Sequence, residues 1–141
     1  MTTNGEWTLT VAGEFSASHQ LRHYEGKCEA LHGHNFGVEV AVSGTRLNPK
    51  TGILLDFKTL KAMLGEVLSL LDHRHLNELP EFTEINPSSE TLARFIYEAL
   101  ASKVQGLAVR LEYVSVSEKA GSTATFRSRN GVSSMVPDDC A

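Results

Sequence analysis

Cysteine is scarce in this chain, and an excess of positive charge is missing. Only two cysteines, Cys28 and Cys140, occur among 141 residues, which is too few for a disulfide framework. We therefore expect a reducing, cytoplasmic environment. The formal net charge is −4. A general nucleic-acid partner is not expected, because such a partner needs a basic protein surface.

Long apolar segments are missing as well. No run approaches the roughly 20 apolar residues that a membrane helix needs, so we expect no membrane partner. The N-terminal MTTNGEWTLT lacks the basic-then-apolar pattern of a signal peptide. Hydrophobic residues make up 41% of the chain, which is enough for one globular domain with its own core. We predict a single domain over residues 1–128 and a flexible C-terminal tail over residues 129–141.

Two segments in the first third of the chain alternate between apolar and polar residues, as strands with one buried face do. The first runs from Trp7 to His19, and the second runs to about Ser43. In both, histidines continue the apolar face: His19 in the first, His32 and His34 in the second. Because side chains alternate across a strand, a His-x-His pair directs both rings to one side.

Two helices are predicted in the middle of the chain. Asp56 is a candidate N-cap for the first, whose apolar residues recur at helical spacing as far as Leu71. The turn at residues 86–89 opens the second, and Gly106 is expected to end it.

Two further strands follow, over residues 109–118 and 123–127, with an irregularity near Tyr113. This order predicts an α+β domain in which a four-stranded antiparallel sheet carries two helices on one face. Such a sheet leaves open edges, which favours joining of sheets between subunits.

The three in-phase histidines suit Zn²⁺, which accepts imidazole nitrogens in a tetrahedral arrangement. Three protein ligands would leave a fourth position open for water or substrate. Cys28 leaves two alternatives. As a fourth ligand it would close the site and make it structural, and as a free thiol beside a cation it would serve as a base.

A second polar cluster is LDHRHLN, residues 71–77. By itself it favours a helix C-terminus, where cationic side chains meet the negative end of the dipole. The alternative is an Asp72–His73 pair that relays protons, with the carboxylate orienting the ring. Glu118 ends an apolar strand, either as a solvated carboxylate or as an acceptor for a donor-rich heterocycle.

Six motifs in this order resemble those of the 6-pyruvoyl-tetrahydropterin synthase/6-carboxytetrahydropterin synthase family. The resemblance covers roughly residues 7–128. The motifs are FSASH (15–19), CEALHGH (28–34), TGILLDF (51–57), LDHRHLN (71–77), NPSSE (86–90) and SEKAGSTATF (117–126).

The resemblance implies a tunnelling fold, in which subunits join their sheets into a barrel around a channel. Trimers of this fold commonly stack into hexamers, with active sites between subunits. It implies Zn²⁺ as the cofactor, held by His19, His32 and His34, and Cys28 as the catalytic thiol. Asp72 and His73 are expected to reach Cys28 from a neighbouring subunit. The residues expected to bind the pterin are Glu118, Ser88, Ser89 and Glu90.

The substrate that the resemblance implies is 7,8-dihydroneopterin triphosphate. The short Cys-x₃-His-x-His spacing is similar to that of the 6-carboxytetrahydropterin synthases of queuosine biosynthesis, which release acetaldehyde and triphosphate. Glu29 adds an alternative, because a folate branch that forms 6-hydroxymethyl-dihydropterin uses a glutamate at about this place. Members with both residues look bifunctional.

Other interpretations remain open at this point. A 6-pyruvoyltetrahydropterin synthase is one. A zinc hydrolase is another, but it leaves the expected pterin-binding residues unexplained. A zinc-stabilised pterin-binding module without catalysis is the third, with Cys28 as the fourth ligand.

Overall fold

The computed structural model describes residues 2–129, with side chains from residue 4 onward. Of the predicted tail, only Arg129 falls within this range, and Cys140 lies outside it. The main elements in chain order are β1 (Thr2–His19), β2 (His32–Arg46), α1 (Phe57–Leu68), β3 (Arg74–His75), α2 (Ser89–Val104), β4 (Arg110–Lys119) and β5 (Ser122–Phe126). Two short 3₁₀ turns, Leu76–Glu78 and Pro80–Phe82, follow β3.

The five strands form one sheet in the order β3-β1-β2-β4-β5. Four of them pair antiparallel, whereas β3 pairs parallel with β1 at Ala17 and Ser18. The α+β class with two helices on a sheet is confirmed, but the prediction of a four-stranded, purely antiparallel sheet is wrong. A two-residue strand has no periodic pattern to detect. It forms because the preceding turn is bonded to the edge of β1.

Both helices begin where the sequence predicts. Asp56 accepts a hydrogen bond from the Lys58 N–H at 2.9 Å and so caps α1. Ser88 caps α2 through a reciprocal pair of bonds with Thr91. Gly106 follows the end of α2 with a φ of 85°, the left-handed conformation that glycine tolerates. Within residues 2–129, no helix has the length and apolar character needed to cross a membrane.

The helices cover the apolar face of the sheet. At one end of the sheet, this face continues into a group of histidines. On β2 this face consists of Phe36, Val38, Val40 and Val42, all of them buried, and it continues outward to His34 and His32. On β4 an extra residue at position 112 shifts the register opposite β2, which confirms the predicted irregularity. The shift places Val114, Val116 and Glu118 on the core side.

Candidate active site

Three histidines converge at the end of the sheet where β1 stops and β2 begins. His19 and His32 are direct partners in the antiparallel register. Their Nε2 atoms lie 3.1 Å apart. One ring nitrogen from each of His19, His32 and His34 lies within 4.8 Å of the others. We refer to these three residues as the histidine cluster.

Backbone carbonyls orient two of the rings. The Nδ1 of His19 is 2.8 Å from the carbonyl oxygen of Pro87, and the Nδ1 of His32 is 2.8 Å from that of Ala30. A carbonyl oxygen can only accept, so each Nδ1 carries the proton and donates. The Nε2 lone pairs of His19 and His32 are therefore free to bind a metal ion, and the carbonyls are the outer-shell partners that such ligands need.

His34 gives an independent indication of a metal site. Its Nε2 is buried and has no hydrogen-bond partner. Burial lowers the pKa of His34, which favours the neutral ring that a metal ligand requires. The 3.1 Å spacing of the other two Nε2 atoms is also close to the value of about 3.3 Å expected for tetrahedral zinc. The residues present therefore fit a zinc ion.

Glu118 lies against the histidine cluster. Its two carboxylate oxygens are 3.6 Å from the Nε2 of His19 and 3.9 Å from the Nε2 of His34. The Glu118 side chain is 30% exposed, so the carboxylate faces both the cluster and the solvent. The sequence placed Glu118 at a strand end, but it did not reveal this closeness.

Cys28 lies in the segment between β1 and β2, residues 20–31, which we call the Cys28 loop. The residue is exposed and lies outside the group of mutually close ligand atoms found among residues 2–129. A tight turn precedes it, in which Glu25 and Gly26 have positive φ angles of 52° and 84° and the Lys27 N–H donates to the Tyr24 carbonyl. This placement favours an open site over one closed by the thiolate.

Glu29, the neighbour of Cys28, is held by the start of the same loop. The Leu21 N–H donates to the Glu29 carboxylate at 3.2 Å, and the Glu29 N–H donates to the Leu21 carbonyl at 2.8 Å. The carboxylate is also 3.8 Å from the Nδ1 of His32. Glu29 is therefore bonded to the protein by both its backbone and its side chain.

Asp72 and His73 form a close pair on the outer edge of β1. The Ser16 N–H donates to Asp72 at 2.8 Å, and the His73 N–H donates to the Ser16 carbonyl at 2.6 Å. The Asp72 carboxylate lies 3.0 Å from the His73 Nδ1. The bond from Ser16 lowers the pKa of Asp72, and His73 contributes further. The segment is thus a turn rather than the end of α1, which stops at Leu68.

Within residues 2–129, the hydrogen bonds of this pair to other segments go to β1 and to the end of α1, and none goes to the histidine cluster. His73 has a positive φ of 59°, a strained conformation for a residue with a side chain, and its side chain is 81% exposed. The ring therefore projects from the surface of this chain. A residue in this state is available to a site formed with another chain.

The start of α2 lies beside the histidine cluster, because the carbonyl of Pro87 bonds to His19. Ser88 and Ser89 are half-buried there, and Glu90 is exposed. The Ser88 hydroxyl already accepts the Thr91 N–H at 3.2 Å as a helix cap. Within residues 2–129, the side chains of Ser89 and Glu90 make no such bond.

Sequence reasoning missed the residues that orient the site. No pattern marks the carbonyls of Ala30 and Pro87, because every residue has a carbonyl. Asn77 and Asn86, by contrast, lie within the motifs LDHRHLN and NPSSE. They bond to the backbone of residues 20 and 22, so the motifs held a signal for them.

Comparisons with known proteins agree with this arrangement. A family model described as 6-pyruvoyl tetrahydropterin synthase matches residues 8–129. The 6-carboxy-5,6,7,8-tetrahydropterin synthase of Synechocystis sp. is 40% identical over 98 residues, which are 67% of this chain and 74% of that protein. The dihydroneopterin monophosphate aldolase of Pyrococcus furiosus is 36% identical over 110 residues, which are 78% of this chain and 88% of that protein.

A solved structure has the same fold. The 6-pyruvoyl tetrahydropterin synthase of Caenorhabditis elegans superposes with a TM-score of 0.77 at 25% sequence identity. The match covers 90% of this chain and 99% of that one.

Proposed function

Because this chain belongs to the 6-pyruvoyl tetrahydropterin synthase family, we propose that it is a zinc-dependent lyase acting on 7,8-dihydroneopterin triphosphate. With one water molecule consumed, the proposed products are 6-carboxy-5,6,7,8-tetrahydropterin, acetaldehyde and triphosphate, as in queuosine biosynthesis. The observation that carries the proposal is the convergence of three imidazoles, of which His34 has a buried Nε2 without a hydrogen-bond partner. The 40% identical relative supports the choice of product.

His19, His32 and His34 would hold the zinc ion through their Nε2 atoms. When bound, the ion supplies a Lewis acid that polarises hydroxyl groups on the side chain of the substrate. The carbonyls of Pro87 and Ala30 hold two of the rings in the tautomer that this requires.

Cys28 would act as the general base. It is exposed and stands outside the group of ligand atoms, so its sulfur is free to take a proton from the substrate. Asp72 and His73 would form the second acid–base pair and act in the site of a neighbouring subunit. Their exposed position on the edge of β1 supports this, and so does the strained conformation of His73. The proposed assembly is a hexamer of two trimers whose sheets form a barrel.

Glu118 would anchor the pterin ring. A carboxylate is a good acceptor for the adjacent N–H donors of a guanidine-like edge, and it orients the ring so that the reacting carbons reach the bases. Its position beside the cluster supports a short distance between ring and metal. The residues proposed to complete the pocket are Ser88, Ser89 and Glu90.

A second candidate activity is cleavage of the side chain to 6-hydroxymethyl-7,8-dihydropterin, alone or alongside the first reaction. Two observations favour it: Glu29 is directly next to Cys28, and one relative is named an aldolase of dihydroneopterin monophosphate. Formation of 6-pyruvoyltetrahydropterin, the activity in the name of the matched family, is the third possible outcome.

Product identification tests the proposal directly. Zinc-loaded protein is incubated with 7,8-dihydroneopterin triphosphate, and the pterins and acetaldehyde are identified by chromatography and mass spectrometry. We expect 6-carboxytetrahydropterin and an equal amount of acetaldehyde. A hydroxymethyl product would establish the aldolase-type reaction instead. Full zinc occupancy without turnover would leave a zinc-stabilised pterin-binding module as the better description.

A further inference from the structure

The first three residues of the Cys28 loop, 20–22, follow the proposed metal ligand His19 and have no strand beside them, yet their backbone hydrogen bonds are satisfied. β3 pairs with β1 only at Ala17 and Ser18, and the chain then turns into the 3₁₀ helix that begins at Leu76. Residues 20–22 therefore extend past the last strand of this edge.

Two asparagine side chains take the place of that strand. Asn77 accepts the Gln20 N–H at 2.9 Å and donates its amide to the Gln20 carbonyl at 2.7 Å. Asn86 makes the same pair of bonds with Arg22, both at 2.8 Å. In an extended chain, alternate residues direct their N–H and C=O groups to the same edge, so two amides reproduce the contacts of a neighbouring strand.

The opposite edge of residues 20–22 is hydrogen-bonded to Glu29, in the second half of the loop. Leu21, between the two clamped residues, exchanges two hydrogen bonds with Glu29. The Gln20 side chain donates to the Glu29 carbonyl at 2.9 Å. The position of Glu29 relative to His19 is therefore set through residues 20–22, and these are fixed from outside by the two asparagines.

We propose that Asn77 and Asn86 are positioning residues, which together form an amide clamp that sets the place of Cys28 and Glu29 against the histidine cluster. Neither asparagine touches the cluster, so both act through the backbone of Gln20 and Arg22. An uncharged amide is needed at both places, because only an amide can accept from the N–H and donate to the C=O of the same residue. The catalytic part of the inference rests on the proposed function.

Asparagine-to-aspartate variants give the sharpest test. Asn77→Asp and Asn86→Asp keep the acceptor for the backbone N–H but lose the donor and place a negative charge against a carbonyl. Asn48→Asp is the matched control. Asn48 accepts from the Lys50 and Thr51 N–H groups after the far end of β2, and aspartate can make both bonds.

The first measurement is amide hydrogen exchange on zinc-loaded protein. Loss of the donor leaves a partly buried carbonyl unpaired, so we expect exchange to be about tenfold faster at Gln20, Arg22 and also at Glu29. Glu29 is informative because its N–H bonds to Leu21 and to neither asparagine. Exchange in the core of β2, for example at Val40, should stay at the wild-type rate, as should all exchange in Asn48→Asp.

The second measurement is steady-state kinetics. We expect kcat to fall about tenfold with KM within about twofold, because the bases move while the pterin anchor stays in place. Unchanged exchange at Glu29 would overturn the clamp. Faster exchange with an unchanged kcat would overturn its catalytic role, and equal acceleration at Val40 would reduce both asparagines to general stabilisers. If the wild type turns over no pterin, the proposed function fails, and the exchange at Glu29 still decides whether the clamp exists.

Discussion

The histidine cluster and the Cys28 loop are adjacent in the chain but are built in different ways. The cluster lies on two regular strands and continues their buried face, and His19 is completely buried. The loop is irregular, contains the positive φ angles of Glu25 and Gly26, and leaves Cys28 exposed. The proposed metal ligands are thus fixed by the core of a single chain.

The proposed acid–base residues depend on weaker constraints. Cys28 relies on hydrogen bonds around residues 20–29, and His73 projects from the edge of β1. If the proposed roles hold, metal binding and proton transfer should be disrupted by different substitutions. In the proposed assembly, a second subunit would enclose the exposed bases.

The largest expected effect concerns the cluster itself. In His34→Ala, we expect zinc affinity to fall more than about 100-fold, because loss of an outer-shell partner alone costs about 10- to 100-fold. His34 is better suited than the fully buried His19, since its side chain is 23% exposed and its removal disturbs the core less. Competition with a chromophoric chelator measures the affinity.

His75→Ala is the control for this prediction. His75 lies on β3 with its Nδ1 3.0 Å from the Ser18 hydroxyl, outside the group of mutually close ligand atoms. It should bind zinc as tightly as the wild type. Wild-type affinity in His34→Ala would contradict the three-histidine site.

The second prediction distinguishes the role of the Cys28 loop from that of the histidine cluster. Cys28→Ala should retain zinc while kcat for 6-carboxytetrahydropterin falls about 100- to 10,000-fold, the range for loss of a general base. Glu29→Ala should lower any hydroxymethyl product. Because Glu29 also holds Leu21, Glu29→Gln is needed as a partner variant: it keeps an acceptor for the Leu21 N–H but cannot take a proton.

The outcomes of these variants are distinguishable. Sharply weaker zinc binding in Cys28→Ala would identify the thiolate as a fourth ligand. An unchanged product ratio in both Glu29 variants would remove the bifunctional alternative. Loss of activity in Glu29→Ala but not in Glu29→Gln would assign Glu29 to holding the loop.

The smallest expected effect is a pH dependence at the edge of β1. The Ser16 N–H lowers the pKa of Asp72, so the ionised carboxylate stabilises the folded state above its ordinary pKa of about 3.9. This contribution is lost as the pH falls through the lowered pKa of the folded state. Urea unfolding should therefore show wild type more stable than Asp72→Asn at pH 7, with the difference disappearing in strong acid.

A control with an exposed carboxylate completes this test. Glu84 is exposed and lies outside the site, so Glu84→Gln should show little change in stability at either pH. If wild type and Asp72→Asn differed equally in stability at neutral and acid pH, the ionised carboxylate of Asp72 and its bond to Ser16 would not be the cause of the difference.

Much of the fold follows from local patterns. Local patterns identified four strands, two of them by period-two alternation, and the caps at Asp56 and Ser88 placed the starts of both helices, because such patterns depend on neighbouring residues only. β3 escaped detection because Arg74 and His75 form a strand only through contact with Ala17 and Ser18, which are distant in sequence.

For the candidate site, too, local patterns predicted one part and left the other undetected. Strand parity alone placed His19, His32 and His34 on one face, since a strand cannot direct residues i and i+2 to opposite sides. Parity did not reveal which ring nitrogen is free, that Glu118 lies against the cluster, or that Glu29 is bonded to Leu21. Each of these depends on a distance between separate segments.

The sequence by itself determined the α+β class, the shared face of the histidines and the motifs of the family. Only the tertiary structure decided the tautomers through the Pro87 and Ala30 carbonyls, the unpartnered Nε2 of His34, and the clamp of Asn77 and Asn86 on the start of the Cys28 loop. The physical reason is the range of the interactions. Alternation and capping act between residues a few positions apart, whereas hydrogen bonds that orient a site join segments that meet only after the chain has folded.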